Sequence, residues 1–367
     1  MRVMVVDFSF YAYAVSLANA LSEYCHITLM LPDKVDELYT TKVAQQVKLR
    51  QFHMSRLRYP SNIFMVNSIF KTINQLKPDV VHQLSWNLWF DLALPLFPDV
   101  PLVSTIHDAS RHPGDRASIS PFHSQQWRRA NQVIVHAESI KQQMLGLEPN
   151  LNSKLHVIPI GSYDFYTALS SANGSEVEAN TTKPPTILFF GRIWEYKGLR
   201  YLIEAEPLIT SQVPDARIVI AGCGEPFEKY ERMMINRDHF IVHNRFIPDE
   251  MIAPLFLQAS VVVLPYIEAS QSAIVNTAYA FGRPVVATPV GGIPEIVTHG
   301  ETGYLVPPRD PRSLAEAIVT LLKDEPTRLA MGRKALEKSR TELSWPGIAR
   351  KTIQVYERAV GGNKSER

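Results

Sequence analysis

The chain has 367 residues, enough for two domains that each bury a core of their own. An apolar fraction of 46% excludes a disordered or coiled-coil chain, and 38 Lys and Arg against 36 Asp and Glu give no reason to expect a nucleic-acid partner. Cys25 and Cys223 are the only cysteines, too few for a disulfide framework, which favours a reducing compartment.

At the N-terminus Arg2 precedes an apolar run like that of a secretory signal, but Asp7 interrupts it and no small-residue cleavage site stands out. Val3–Val6 reads as a first strand, with a helix starting just after it. No uninterrupted apolar run reaches bilayer-spanning length, so the expected location is the cytoplasm. MRVMVV, HITLML, DVVHQLS, PLVSTIH and QVIVHA are short apolar runs separated by helical stretches. That rhythm predicts a parallel sheet covered on both faces. Ligands of such sheets bind beyond the carboxyl ends of the strands. The residues to weigh there are Asp7, Gln83, His107 with Asp108, and His136. His107-Asp108 closes a strand and opens a loop holding His112-Pro113-Gly114, a setting that suits a site histidine. His82 is either a second site residue or a structural one.

Leu38 to Lys77 contains no acidic residue, yet carries Lys42, Lys48, Arg50, Arg56, Arg58, Lys71 and Lys77 between apolar side chains. Two readings stand: a solvated basic helix with an ordinary core face, or a surface for an anionic membrane or a phosphorylated acceptor. Farther on, Thr167 to Pro185 is rich in Ser, Asn, Thr and Glu, ends Lys-Pro-Pro, and reads as an interdomain linker.

ILFFGRIWEYKG, residues 187–198, reads as a strand, a Gly turn and a helix start. Leu199 stands where a P-loop needs Ser or Thr, so that motif fails. Arg192 and Lys197 nonetheless offer one fork-shaped and one point-like cation at a strand end, which suits a diphosphate. RIVIAGCG ends a strand on Gly222 and Gly224, but the third glycine of a dinucleotide fingerprint is replaced by Phe227, which disfavours an NAD-dependent dehydrogenase. Val261–Leu264, closed by Pro265, reads as a buried parallel strand. Glu268, Ser270, Gln271 and Ser272 follow where a helix start leaves backbone amides for an anion. Ala273 to Phe281 has helical spacing, Gly282-Arg283-Pro284 stops it, Val285–Ala287 is the next strand, and Gly291-Gly292 offers bare backbone for close approach of a ligand. An amphipathic helix carries Leu314, Ile318 and Leu322, and a last helix begins near Ser344-Trp345.

AYAFGRPVVATPVGGIPEIVTHGETGYLV, together with VIPIGSYDFY and GRIWEYKG, resembles the GT-B glycosyltransferases, in particular glycosyltransferase family 4. The resemblance implies an α/β fold of two Rossmann-like parallel domains facing across a cleft. Residues 1–166 would form the acceptor-side domain, 167–185 a linker, 186–345 the nucleotide-sugar-binding domain, and 346–367 a helix crossing back to the first. By resemblance His107 contacts the donor sugar near the reacting carbon and Glu268 shares the catalytic work. Arg192, Lys197, Gly191, Gly222, Gln271, Ser272, Ala273 and Thr277 bind the donor. Phe246 lies beside the base or fills a core. Asp7, Asp108 and His112 fall on the acceptor side. The implied reaction is hexosyl transfer with retention from a nucleotide-sugar, UDP- or GDP-linked rather than ADP-linked, to a glycan, lipid-linked or small-molecule acceptor. No Asp-x-Asp motif occurs, so neither metal nor cofactor is expected. The usual setting is polysaccharide or glycolipid assembly; peripheral contact of 42–77 with an anionic membrane is the reading its own basic and apolar residues add.

The pattern is not complete. The family's two glutamates, eight positions apart, would fall on Ala269 and Thr277; Glu268 stands in for the first, and Thr277 offers a neutral contact. A Gly-Gly loop usual after strand one is replaced by Phe8-Ser9-Phe10-Tyr11-Ala12. A catalytically inactive homologue and a GT-B sugar-nucleotide epimerase therefore stay open as alternatives.

Overall fold

A computed structural model describes residues 1–109, 123–172 and 184–362. The chain forms two compact units: the first runs to Gly161 and resumes at Ser344, and the second holds Ser162–Leu343.

The first unit is built on a parallel sheet of β1 (Arg2–Val6), β2 (His26–Pro32), β3 (Lys48–Phe52), β4 (Val80–Gln83), β5 (Leu102–Ile106), β6 (Gln132–Val135) and β7 (Leu155–Val157), in the order β3-β2-β1-β4-β5-β6-β7. Val3 pairs with Ile27 on one side and Val80 on the other, so the order reverses between β1 and β4. Val3–Val6 and Leu102–Ile106 are buried throughout, as strands covered on both faces must be. Met4, Val6, Ile69, Phe90 and Val133 share one core.

The last helix, Trp345–Gly362, belongs to this unit and packs against the helix Tyr11–Leu21 and against β4, β5 and β6. Tyr356, fully buried, places its hydroxyl 2.7 Å from Nδ1 of His82, whose Nε2 lies 2.8 Å from Oγ1 of Thr105. Both nitrogens of His82 are spent on the fold, which settles it as structural.

The second unit repeats the plan with β8 (Thr186–Phe190), β9 (Arg217–Gly222), β10 (Phe240–Asn244), β11 (Val261–Leu264), β12 (Val285–Ala287) and β13 (Gly303–Leu305), all parallel, in the order β10-β9-β8-β11-β12-β13. Its core gathers Ile187, Phe189, Ile218, Val263 and Val286 with Leu314, Ile318 and Leu322 of the helix Pro311–Lys323. Asp310 caps that helix by accepting from the amides of Arg312 and Ser313.

Several boundaries differ from the sequence reading. The first unit stops at Gly161, because Ser162 donates its amide to Leu343 and meets Ser339 by hydroxyl contact, while Tyr166 donates to Asp249. The expected linker begins as a helix, Asp164–Ala172, that packs on the helices Asp249–Gln258 and Ala273–Ala280. The basic stretch is not one helix: it holds β3, a loop and the helix Asn62–Leu76. His112 lies outside the described residues.

Candidate active site

In sheets of this order ligands bind at the carboxyl edge where the strand order reverses. In the second unit that point lies between β8 and β11. The chain leaves β8 through Gly191-Arg192, and the turn is fastened to the end of β9: Gly191 N donates to Ala221 O at 2.9 Å and Ile193 N to Cys223 O at 2.9 Å. Gly222 packs directly on the Gly191 backbone. Arg192 is exposed and Lys197 half-buried. Gly198 has φ +67°, and a Cβ there would sit 1.8 Å from the Pro265 carbonyl oxygen. Only glycine lets the Lys197 turn lie on the exit of β11, where Ile267 N donates to Tyr196 O at 2.7 Å.

Lys197 Nζ lies 3.8 Å from the ring centroid of buried Tyr266. Burial pushes the Tyr266 phenol well above its usual range, while the Arg192 charge opposes that rise, so both cations act at the same tyrosine. Beside them a pocket of about 290 Å³ is lined by Trp194, Glu195, Tyr196, Glu225, Glu268 and Arg309 among others. Glu268 is exposed and faces this pocket. Arg309 holds φ +62°, a left-handed conformation that costs a non-glycine residue energy.

The loop from Tyr266 to Ser272 is held from below. Thr288 Oγ1 donates to Tyr266 O at 2.6 Å and Gly292 N to Ser270 O at 2.8 Å. At Gly291, φ +55°, a Cβ would lie 1.8 Å from Ala269 O. The close approach expected at Gly291 is therefore made by the chain's own backbone. The helix Ala273–Ala280 then starts at Ser272 with no side-chain cap, and the buried Gln271 Oε1 has no hydrogen-bond partner. Ala273 is its first residue. Thr277, expected to offer the donor a neutral contact, donates to Ala273 O at 2.9 Å and is 4% exposed, so its proton serves the helix. Phe246 is 79% exposed, which removes the core-packing reading.

In the first unit the reversal lies between β1 and β4. Asp7, read as an acceptor-side residue, is fully buried. Its Oδ1 accepts from Ser85 Oγ at 2.6 Å and its Oδ2 from the amides of Phe10 and Ser9 at 2.7 and 3.2 Å. The carboxylate is used up in shaping the loop after β1. Burial pushes it up to about 6, against the lowering effect of those hydrogen bonds. The loop lays the Phe10 ring 4.1 Å from the His107 ring, by centroids.

His107 donates Nε2–H to Leu84 O at 2.9 Å and so keeps Nδ1 as an acceptor. Burial holds its pKa below the ordinary imidazole value, although the Asp108 charge works the other way. His136, 4.8 Å away by ring centroids, meets Ile158 O through Nδ1 at 2.9 Å and leaves Nε2 buried without a partner. Burial lowers His136 and His82 to about 3, so this histidine group is neutral. Asp91, which accepts from Gln83 Nε2 at 2.7 Å, is pushed up to about 8 by burial.

The sequence reading missed Tyr266, Phe10 and the pocket residues Trp194, Glu225 and Arg309. Tyr266 had a signal, being the second residue after an apolar strand. Arg309 had none, because no local residue pattern carries its left-handed backbone conformation or its place at the pocket.

A family model described as "Glycosyltransferase Family 4" matches residues 12–161, and one described as "Glycosyl transferases group 1" matches residues 184–324. An uncharacterized glycosyltransferase of Methanocaldococcus jannaschii is 29% identical over 81% of this chain and 80% of its own length. Among solved structures, sucrose-phosphate synthase from Thermosynechococcus elongatus superposes with a TM-score of 0.73 at 18% identity, covering 98% of this chain and 99% of that one. Anabaena HepE in complex with UDP-glucose superposes with a TM-score of 0.66 at 18% identity, covering 100% of both chains.

Proposed function

The chain belongs to the GT-B glycosyltransferases of group 1 and family 4 and is by that membership a hexosyltransferase, and we propose that its donor is a nucleotide-sugar whose diphosphate rests on Arg192 and Lys197. One observation carries this reading: both cations act on Tyr266 at the reversal point of the second sheet, beside an uncapped helix start. The UDP-glucose bound to the Anabaena neighbour supports the ligand class.

Transfer breaks the bond between the anomeric carbon and the diphosphate while charge builds on both fragments. Arg192, Lys197 and the helix-start amides compensate the leaving anion, and two fixed side-chain cations make a metal-independent route reasonable. His107, neutral and fixed through Nε2, contacts the transferred sugar with its remaining polar edge. Glu268 takes the place of the missing family glutamate. Phe246 stands free to stack on the base of a UDP or GDP donor. The acceptor is a glycan, a lipid-linked sugar or a small molecule, the product keeps the donor's anomeric configuration, and the work is done at the inner face of a membrane touched by 42–77. No helix of the described residues is long and apolar enough to cross a membrane.

Incubation with UDP- and GDP-sugars and a panel of acceptors, followed by NMR of the anomeric centre, tests the reading. A glycoside with the donor's configuration supports it. Epimerised donor in the absence of acceptor favours the epimerase alternative. Tight donor binding without turnover on any acceptor favours the inactive homologue.

A further inference from the structure

We infer that Phe10 is a positioning residue for His107, and that the buried pair Asp7 and Ser85 holds it against that ring. The inference rests on the reading of His107 as the group that contacts the transferred sugar. Phe8–Ala12 stands where the family carries two glycines, and a ring beside His107 is what the replacement brings. A hydrogen bond fixes only one point of an imidazole. His107 has that point at Nε2, 2.9 Å from Leu84 O. Three rings set its plane: Phe10 at 4.1 Å, His136 at 4.8 Å and Tyr13 at 5.8 Å between centroids. Tyr13 and His136 are buried, whereas Phe10 is 41% exposed. Of the three, Phe10 is the one that stands between His107 and water.

An exposed phenyl ring on a loop has several rotamers open to it, so its place depends on the backbone beneath. That backbone is tied down. Asp7 Oδ2 accepts from the amides of Phe10 and Ser9, and Oδ1 from Ser85 Oγ, which itself accepts from the Phe8 amide at 2.8 Å. Three successive amides thus converge on one buried carboxylate and one buried hydroxyl. A buried carboxylate is costly unless donors surround it, and this one has three. Phe8 roots the loop, its ring 5.7 Å from that of Phe52 and 5.5 Å from that of Phe90. Ser85 is fixed in turn, because Gln83 Nε2 donates to its carbonyl at 3.1 Å as well as to Asp91. The exit of β4 therefore supplies both halves of a clamp on successive residues. Leu84 O holds the His107 nitrogen, and Ser85 Oγ holds the loop that carries Phe10. Starting the helix Tyr11–Leu21 needs the turn at Asp7 but no ring at position 10, so the two roles separate by mutation.

The test is ring NMR of the full chain carrying isotope-labelled histidine, with His107→Ala identifying the signal. The titratable groups around His107 among the described residues are Asp108, His82, His136 and Tyr13, and the variants leave all of them in place. Phe10→Ala opens the ring to water, so its titration midpoint should rise toward the ordinary 6.5, by about 0.5 in pH or more. Ser85→Ala should move it the same way. Phe10→Tyr, which keeps the ring, should restore the parental midpoint. In nucleotide release from UDP-glucose and GDP-glucose, with glucose or water as acceptor, Phe10→Ala should lower kcat about ten-fold while the donor KM stays within about three-fold. In a His107→Ala background the same change should add nothing, since Phe10 acts through that ring. A parental midpoint in Phe10→Ala, or a kcat loss as large without His107 as with it, overturns the inference. Parental kcat in His107→Ala instead removes the sugar-contact reading. The midpoints then decide alone whether Phe10 fixes His107, as they do if the parent chain releases no nucleotide from either sugar.

Discussion

His107 shows how much a single residue's role depends on what its ring is already doing. Its position after an apolar strand was legible; its hydrogen bond to Leu84 and its tilted ring contact with Phe10 were not, because both join segments far apart in sequence. Removing the ring should lower turnover about a hundred-fold while donor affinity stays within about three-fold. Wild-type turnover in His107→Ala, measured with the same donor, removes the residue from the mechanism. Asp91 leads to a prediction at the same scale. Its folded pKa, raised to about 8, exceeds the ordinary value of 3.8, so the native chain holds a proton that the unfolded chain has lost. Stability should therefore fall as pH rises through that window, by up to roughly 1.4 kcal/mol per unit. His82 and His136, lowered to about 3, act in the opposite sense and only below about 6.5. Asp7, at about 6, has finished titrating by pH 7. Urea unfolding between pH 7 and 8 should thus show a declining stability that Asp91→Asn flattens. Equal slopes in the two proteins would show that Asp91 is ionised in the native state.

Among elements, strands buried on both faces were readable and a mostly polar edge strand was not. Val261–Leu264 is an unbroken apolar run, whereas Lys48–Phe52 is a mostly polar edge with only Phe52 buried. β7 and β13, three residues each, lie at sheet edges with one buried residue apiece and so show no buried run, whereas β12, equally short, is buried throughout and was readable. The stretch after Tyr166 looked like a linker by composition, yet it begins as a helix because Asp164–Ala172 has other helices to pack against. Gly291-Gly292 was read as room for a ligand, and the structure uses Gly291, as it uses Gly198, to let backbone touch backbone. Gly198→Ala should consequently cost at least about 2 kcal/mol of stability and weaken nucleotide binding, since the Lys197 turn must move off Pro265. A variant with parental thermal stability would mean that the turn yields without penalty.

For the whole molecule, two parallel sheets and the return of the last helix to the first unit followed from the alternation of strands and helices and from a long ungapped resemblance. The position of Arg192 and Lys197 after β8, beside the reversal point, followed as well, because it depends on strand order, and strand order follows from that fold. The burial of Asp7, the diversion of the Thr277 hydroxyl and the pocket at Arg309 depend on packing that no local pattern carries. The central claim is that the second unit holds a nucleotide-sugar diphosphate on Arg192 and Lys197. Calorimetric titration without added metal, using UDP, GDP, ADP and their sugar conjugates, tests it most directly. Tight binding of one nucleotide, weakened about ten-fold or more in Arg192→Ala and in Lys197→Ala, is the predicted result. Binding to none of them, or equal binding by parent and variants, would contradict it.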